Sequence, residues 1–325
     1  RRGNRAPTGR GARLTKRPMA KAAVTGGTGF VGAALIGCLL DRGWSVSALA
    51  RDPDRLPYKE QVEAVPGALE DDTALTRLAD GADIFFHLAG VTHARRADDY
   101  MRANVVGAKN AATAAAAAGA RMVHASSLSA RKPEVSPYAA SKRQSETAVA
   151  EAGGDWLALR LPAIYGPRDM ATLPFFKLVK AGFALAPKTA TPARASIIFV
   201  SDVAAALLAA ADVPGGRVYE VGDDQPEGHS WRQIGEILAG VLGRPARAIA
   251  VPRPVIATYH GVVRMTEGAL GRTPSVREGQ INEFFHPDWV ARDNLFSDAA
   301  IWRPETPLQE GFAKTARWYQ EHDLL

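Results

Sequence analysis

The chain has 325 residues, 46% of them apolar and 23% charged. It can bury one large core, or a core plus a smaller lobe, which excludes a wholly disordered protein. The formal charge of +6 invites a nucleic-acid or membrane reading, yet seven Lys and Arg and no acid fall in residues 1–18, and without them 33 basic residues face 34 acidic ones. The body is therefore close to neutral, and a polyanion has only the basic arm to bind.

That arm, RRGNRAPTGRGARLTKRP, lacks apolar periodicity and the apolar stretch of a secretory signal, so residues 1–18 are expected to be disordered. An Arg-rich, acid-free start fits a mitochondrial transit peptide, but without a clear amphipathic repeat. The preferred expectation is non-native sequence ahead of a natural start at Met19, because the first strand follows almost at once. One cysteine, Cys38, excludes an intrachain disulfide and a cysteine metal cluster and fits a reducing cytoplasm. Apolar runs such as Val203 to Ala211 fall well short of the roughly 18 residues that span a bilayer. Neither a membrane nor nucleic acid is expected as a partner.

From Lys21 short apolar strands alternate with helical stretches. AAVTG precedes a helix through LIGCLLDRG, SVSALAR follows, a third strand falls near Val62 to Val65, and then comes DIFFHLAG. The alanine-rich AATAAAAAG reads as a close-packed helix that ends at Gly119, before the strand RMVHASS. WLALRLPAIYG and RVYEVGD are further strands. Alternation of this kind predicts a doubly wound α/β fold, a parallel Rossmann sheet with helices on both faces. Residues 19–166 and about 196–222 are assigned to the cofactor-binding domain. The irregular segments, about 167–195 and 223–325, are assigned to a smaller, mostly C-terminal substrate lobe over the carboxyl edge of the sheet.

AAVTG runs into Gly26-Gly27-Thr28-Gly29-Phe30-Val31-Gly32 and then a helix. In that setting glycines allow a tight turn and the approach of a pyrophosphate to backbone N–H groups at the positive helix end. At the end of the second strand Ala50 stands where an acid selective for NAD is expected, and Arg51 follows; this favours NADP(H) over NAD(H), with Asp52 or Asp54 as the acids that could still serve NAD. Asp71 and Asp72 could contact the adenine side or be merely solvated. Leu88, Ala89 and Gly90 close the next strand with residues along which a cofactor can lie. His87 is expected to be a packed strand residue, and no metal-spaced partner accompanies it.

Tyr138 and Lys142 stand one helical turn apart, so both can face the cofactor. A tyrosine titrates near pH 10, and a nearby cation favours its phenolate. Tyr-x-x-x-Lys is common by chance. Its weight here comes from the preceding strand VHASS, which puts Ser126 or Ser127 at the carboxyl edge. Trp231, His229, Tyr259, His260, Arg264 and Phe284 could line a pocket, though aromatics at such spacing are more often core.

Taken in order, TGGTGFVG (25–32), HLAG (87–90), NVVGAKN (104–110), VHASS (123–127), YAASK (138–142), LRLPAIYGP (159–167) and FVSDVA (199–204) resemble the extended, epimerase/dehydratase-like branch of the short-chain dehydrogenase/reductase superfamily. The resemblance implies Ser127 as donor to the substrate oxygen, Tyr138 as acid/base, and Lys142 as depressor of the tyrosine pKa and ligand of the nicotinamide ribose. It also places Asn104 near the active site and Pro162 against the nicotinamide, and makes a homodimer the family expectation.

Two departures narrow the chemistry. Leu128-Ser129 follows Ser127 where the sugar-nucleotide dehydratases carry an Asp-Glu pair, which disfavours elimination. Only LSARKPEVSP separates Ser127 from Tyr138, where sugar-nucleotide epimerases usually have a longer loop. The expected function is NAD(P)-dependent hydride transfer to or from a small-molecule carbonyl or alcohol, as in the flavonol-reductase-like and hydroxysteroid-like members. A nucleotide-sugar epimerase and a non-catalytic NADPH-binding subunit, as in respiratory complex I, are the alternatives.

Overall fold

Short, apolar, buried segments separated by helices can satisfy their backbone groups only in a sheet covered on both faces. The computed structural model describes residues 20–94, 96–258 and 278–325 and has that arrangement. Its main strands begin with β1 (Lys21–Thr25), β2 (Ser45–Ala50), β3 (Val62–Pro66), β4 (Ile84–His87), β5 (Arg121–Ser127) and β6 (Trp156–Leu161). Four short strands come next, β7 (Ala163–Tyr165), β8 (Phe183–Pro187), β9 (Arg194–Ala195) and β10 (Ile197–Phe199), and then β11 (Arg217–Glu220). The large sheet is parallel throughout in the order β11-β6-β5-β4-β1-β2-β3. Strand order reverses between β1 and β4, the place where such sheets bind ligands at their carboxyl edge. The doubly wound fold expected from the sequence is the fold found.

One face is covered by α1 (Phe30–Asp41) and, later in the chain, by the helix of residues 200–209: Leu35, Ile36, Leu39, Val203 and Leu207 pack on Val24, Ala48, Phe86 and Leu159. The other face carries α2 (Asp72–Ala79), α4 (Gly107–Ala117) and α5 (Pro137–Ala152), with α3 (Ala97–Tyr100) packed on α5. The alanine run is α4, with Ala108, Ala111 and Ala115 wholly buried, and Gly119 ends it at φ +71°. Small side chains let α4 lie close against α5 and the sheet. At the start of α5, Ser136 Oγ accepts the Ala139 N–H at 2.9 Å and Pro137 takes the first helical position, so the helix begins one residue before Tyr138.

A third core joins α6 (Leu173–Lys180) and α8 (Trp231–Val241), which flank α7 (Val200–Ala209, the helix named above by number) in sequence, to the end of the chain. There Phe176, Ile234 and Leu238 meet Phe312 and Tyr319. Strands β12 (His229–Ser230), β13 (Arg247–Val251) and β14 (Asp288–Trp289) pair with β9 and β8, and α9 (Glu278–Phe284) and α10 (Leu308–Glu321) complete this region. Phe296 and Trp302 pack instead into the core of the large sheet.

Candidate active site

The turn after β1 holds the first half of the site. Gly26 has φ +78°, and a Cβ there would lie 2.6 Å from the Ala89 nitrogen, so strands β1 and β4 can end side by side only with glycine at this position. A Cβ at Gly32 would run into the Gly26 carbonyl, which fixes how closely α1 approaches the strand. Gly29 is the N-cap of α1, with no side-chain cap among the described residues and no acid in the first turn. Thr28 and Gly29 are exposed, and Phe30 and Val31 open the helix. Those uncapped N–H groups and the bare cradle fit a dinucleotide pyrophosphate.

Arg51 follows β2 at the same edge and is exposed. The two acids that could have served NAD are otherwise engaged: Asp52 Oδ1 caps the turn at Pro53–Arg55, and Asp54 lies 3.7 Å from Lys59. Asp71 caps α2, accepting the Ala74 N–H at 3.0 Å, and Asp72 is exposed in its first turn. Leu88, Ala89 and Gly90 leave β4 beside Gly26, and the Leu88 N–H donates to the Thr25 carbonyl at 3.1 Å. His87 is a packed strand residue, as expected. It stacks on His124 with ring centroids 5.4 Å apart, and burial drives its pKa down to about 3 and that of His124 well below the usual value, so both rings are neutral.

Asn104 sits in a π-helical turn, Met101–Val106, a local feature that often marks functional sites. Its Oδ1 accepts the Val91 N–H at 2.7 Å, while its Nδ2 donates to the Val91 carbonyl and, at 2.9 Å, to Ser141 Oγ. It therefore ties the loop after Gly90 to α5 beside Lys142.

The choice between the two serines follows from strand alternation. Ser126 points under α5 and donates to Glu146 Oε1 at 2.6 Å, so it is committed. Ser127 ends the strand at the edge, in register with Leu161 and thus beside buried Pro162, and its hydroxyl lies near enough to the Tyr138 phenol to ease its ionisation. Ser129 also lies against it, with the two hydroxyls 2.7 Å apart.

Tyr138 and Lys142 project from the same face of α5 into this edge. The Lys142 ammonium donates to the Ala125 carbonyl at 2.6 Å, and burial brings its pKa down to about 8 against the opposing pull of Glu146. Burial pushes the Tyr138 phenol up to about 12; the Ser127 hydrogen bond works against this, while Glu283 and Tyr100 add to it. The resemblance implied that Lys142 holds this pKa down. In the structure Ser127 is the group that eases ionisation, and desolvation outweighs it because the phenol is enclosed.

Several residues around the pair carry no local sequence signal. Tyr100 stands with its ring 6.2 Å from that of Tyr138. Under α5, Arg160 holds Glu146 with two bonds, Nε to Oε1 at 2.9 Å and Nη2 to Oε2 at 2.8 Å, and also lies 3.7 Å from buried Glu220. Glu283 reaches the start of α5 from α9. Among the pocket candidates, Trp231 packs edge-on against Phe284 at 5.0 Å, and buried His229 lies 3.6 Å from Asp223, whose oxygens also take the Ile197 and Gln225 N–H groups. Tyr259, His260 and Arg264 fall outside the described residues, as do residues 1–18.

A glycine cradle at the strand-order reversal, with a serine, a tyrosine and a lysine converging beside it, defines an NAD(P)-dependent oxidoreductase. Comparison with known proteins agrees. The sequence model of the NAD dependent epimerase/dehydratase family matches residues 22–222, and the chain belongs to that family. It is 39% identical over 301 residues to a ceramide reductase of Caulobacter vibrioides, covering 92% of this chain and 94% of the relative. It is 34% identical over 236 residues to a 4-hydroxy-2-methyl-3-oxo-4-farnesyl-3,4-dihydroquinoline-1-oxide ketoreductase of Stigmatella aurantiaca, covering 62% and 68%. In solved structures the same fold occurs in MoeE5 in complex with UDP-glucuronic acid and NAD, at 23% identity and a TM-score of 0.70 over 93% of this chain and 99% of that one. Among the described residues no helix is long and apolar enough to cross a membrane.

Proposed function

We propose that the protein is an NADP(H)-dependent reductase that converts a ketone of a ceramide-class lipid to the alcohol. The observation that carries it is the convergence of Ser127, Tyr138 and Lys142 at the carboxyl edge beside the glycine cradle; burial raises the Tyr138 pKa, so the phenol holds a proton that it can give. The substrate class rests on the similarity to the Caulobacter ceramide reductase, which runs through 92% of this chain.

In this reading Gly26, Thr28, Gly29, Phe30, Val31 and Gly32 hold the pyrophosphate, Arg51 the 2′-phosphate and Asp71 the adenine side. Leu88, Ala89, Gly90 and Pro162 flank the rest of the cofactor, and Lys142 holds the nicotinamide ribose. When bound, NADPH supplies the hydride to the carbonyl carbon. Ser127 donates a hydrogen bond to the carbonyl oxygen, and the Tyr138 O–H bond breaks as its proton passes to that oxygen. Within the segments assigned to the lobe, the described residues 167–195, 223–258 and 278–291 enclose the substrate, while Phe296 and Trp302 pack on the large sheet.

The test is an assay of long-chain keto-ceramide with NADPH and NADH on wild type and Tyr138→Phe. Reduction by wild type alone supports the reading. Tight NADPH binding with no Tyr138-dependent turnover sinks it, and so does turnover without net NADPH consumption, the mark of an epimerase.

Two further results are expected. Arg51→Ala should raise KM for NADPH about tenfold, the loss of one charge-assisted contact, and leave KM for NADH nearly unchanged; equal changes for both would remove Arg51 from the 2′-phosphate site. The pH profile follows from Lys142, which is an ammonium below pH of about 8 and a neutral amine above it. With the cofactor as the varied reactant, kcat/KM should therefore hold below that pH and fall above it. Lys142→Arg should abolish the fall in whatever activity it retains, because a guanidinium does not titrate there.

A further inference from the structure

Helix α9 is clamped onto the residues that begin α5. Asn282 Nδ2 donates to the Val135 carbonyl at 2.9 Å, and Ser136 Oγ donates to Glu283 Oε1. A Cβ at Gly279 would lie 3.0 Å from that of Ser136, so the approach is as close as glycine permits. On its other side the Glu283 carbonyl accepts the Trp289 indole N–H at 2.8 Å. These contacts hold the Glu283 carboxyl in one place, on Ser136, the residue two before Tyr138 in the chain.

Other carboxyls near the site are exposed or taken. Glu134 is exposed, Glu146 is held by Arg160, and Asp288 pairs with Arg292 at 2.5 Å. Among the described residues no cation pairs with Glu283, which is half-buried and has its pKa raised by burial. A carboxyl withdrawn from water without a cation is costly unless donors reach it. Ser136 is one donor, and the substrate is placed to bring another.

We propose that Glu283 is the substrate-reading carboxyl of this site, accepting a hydrogen bond from an N–H carried on the carbon next to the carbonyl that Tyr138 protonates. The substrate is then a 2-acylamino ketone. This deepens the reductase reading and rests on it. A second consequence concerns Tyr138, which is faced by Ser127 at the end of β5, Tyr100 on α3, Lys142 on its own helix and Glu283 from α9. The Glu283 charge opposes the phenolate and so raises the pH at which the tyrosine ionises.

The test compares kcat/KM for a long-chain 2-acylamino ketone and its 2-acyloxy analogue, in which an ester oxygen replaces the N–H. Wild type should prefer the amide by about tenfold or more, Glu283→Asp should keep a preference, Glu283→Gln should weaken it to that of a neutral acceptor, and Glu283→Leu should lose it. In Glu283→Gln the rise of alcohol oxidation with pH should also move to lower pH, a shift that a merely structural role would not produce. Equal use of the two ketones by wild type overturns the inference without touching the reductase reading, and needs no variant. An unchanged preference and pH profile in Glu283→Gln overturns it as well. If wild type reduces neither ketone, the reductase reading fails and the inference falls with it.

Discussion

Tyr138→Phe is expected to lower kcat for ketone reduction by about a hundred- to ten-thousandfold, the usual worth of a positioned acid in proton transfer. The substitution removes one oxygen and leaves the ring, so its packing against Tyr100 and the start of α5 should persist. Ser127 would still polarise the carbonyl, and the glycine cradle would still bind cofactor, which accounts for residual rate rather than none. The expected pattern is thus a collapse of kcat with NADPH affinity within about twofold of wild type and an unchanged unfolding midpoint. A loss shared equally between kcat and cofactor affinity would mean that the phenol positions the cofactor and does not move a proton. Because phenylalanine carries no ionisable group, no buffer pH should rescue the variant.

The strands, the glycine turn and the Tyr138–Lys142 pair were legible because each depends on short-range spacing: apolar runs between helices, glycines between a strand and a helix, and two side chains one helical turn apart. Ser126 and Ser127 could be separated only once alternation along β5 placed one under α5, on Glu146, and the other at the edge. Asp71 looked like a cofactor ligand or a solvated acid, and the structure gives it a helix cap as well. The direction of the Tyr138 shift was missed for a clear reason. A sequence shows the neighbouring lysine but not the enclosure, and enclosure is the larger effect here. Glu283 was invisible because it meets Ser136, two residues before Tyr138, through the packing of α9 on α5, a contact between segments far apart in the chain.

The same limit hid the feature with the largest expected effect on stability. Arg160 on β6 is 12% exposed and stands between two carboxylates, Glu146 at 5% and Glu220 at 2%. Arg131 also reaches Glu220, at 3.5 Å, and donates to the Val290 carbonyl at 2.8 Å, so the network ties α5, β6 and β11 to the segment after β14. Forming such a network in place of apolar packing is close to neutral, but removing its central cation leaves two buried carboxylates with one longer ion pair each, Glu220 with Arg131 and Glu146 with Arg143, both at 3.5 Å. Arg160→Met is therefore expected to destabilise by about 3–5 kcal/mol in denaturant unfolding, and Glu146→Gln by less, since Arg160 would keep Glu220. The loss should also reach the chemistry. Glu146 anchors Ser126, and Ser126 fixes the end of the strand that aims Ser127, so folded Arg160→Met should lose about tenfold in kcat, the scale of a small misplacement of a reacting group. A variant unchanged in both measurements would show that β5 is held by backbone pairing alone and that the buried charges serve neither stability nor aim.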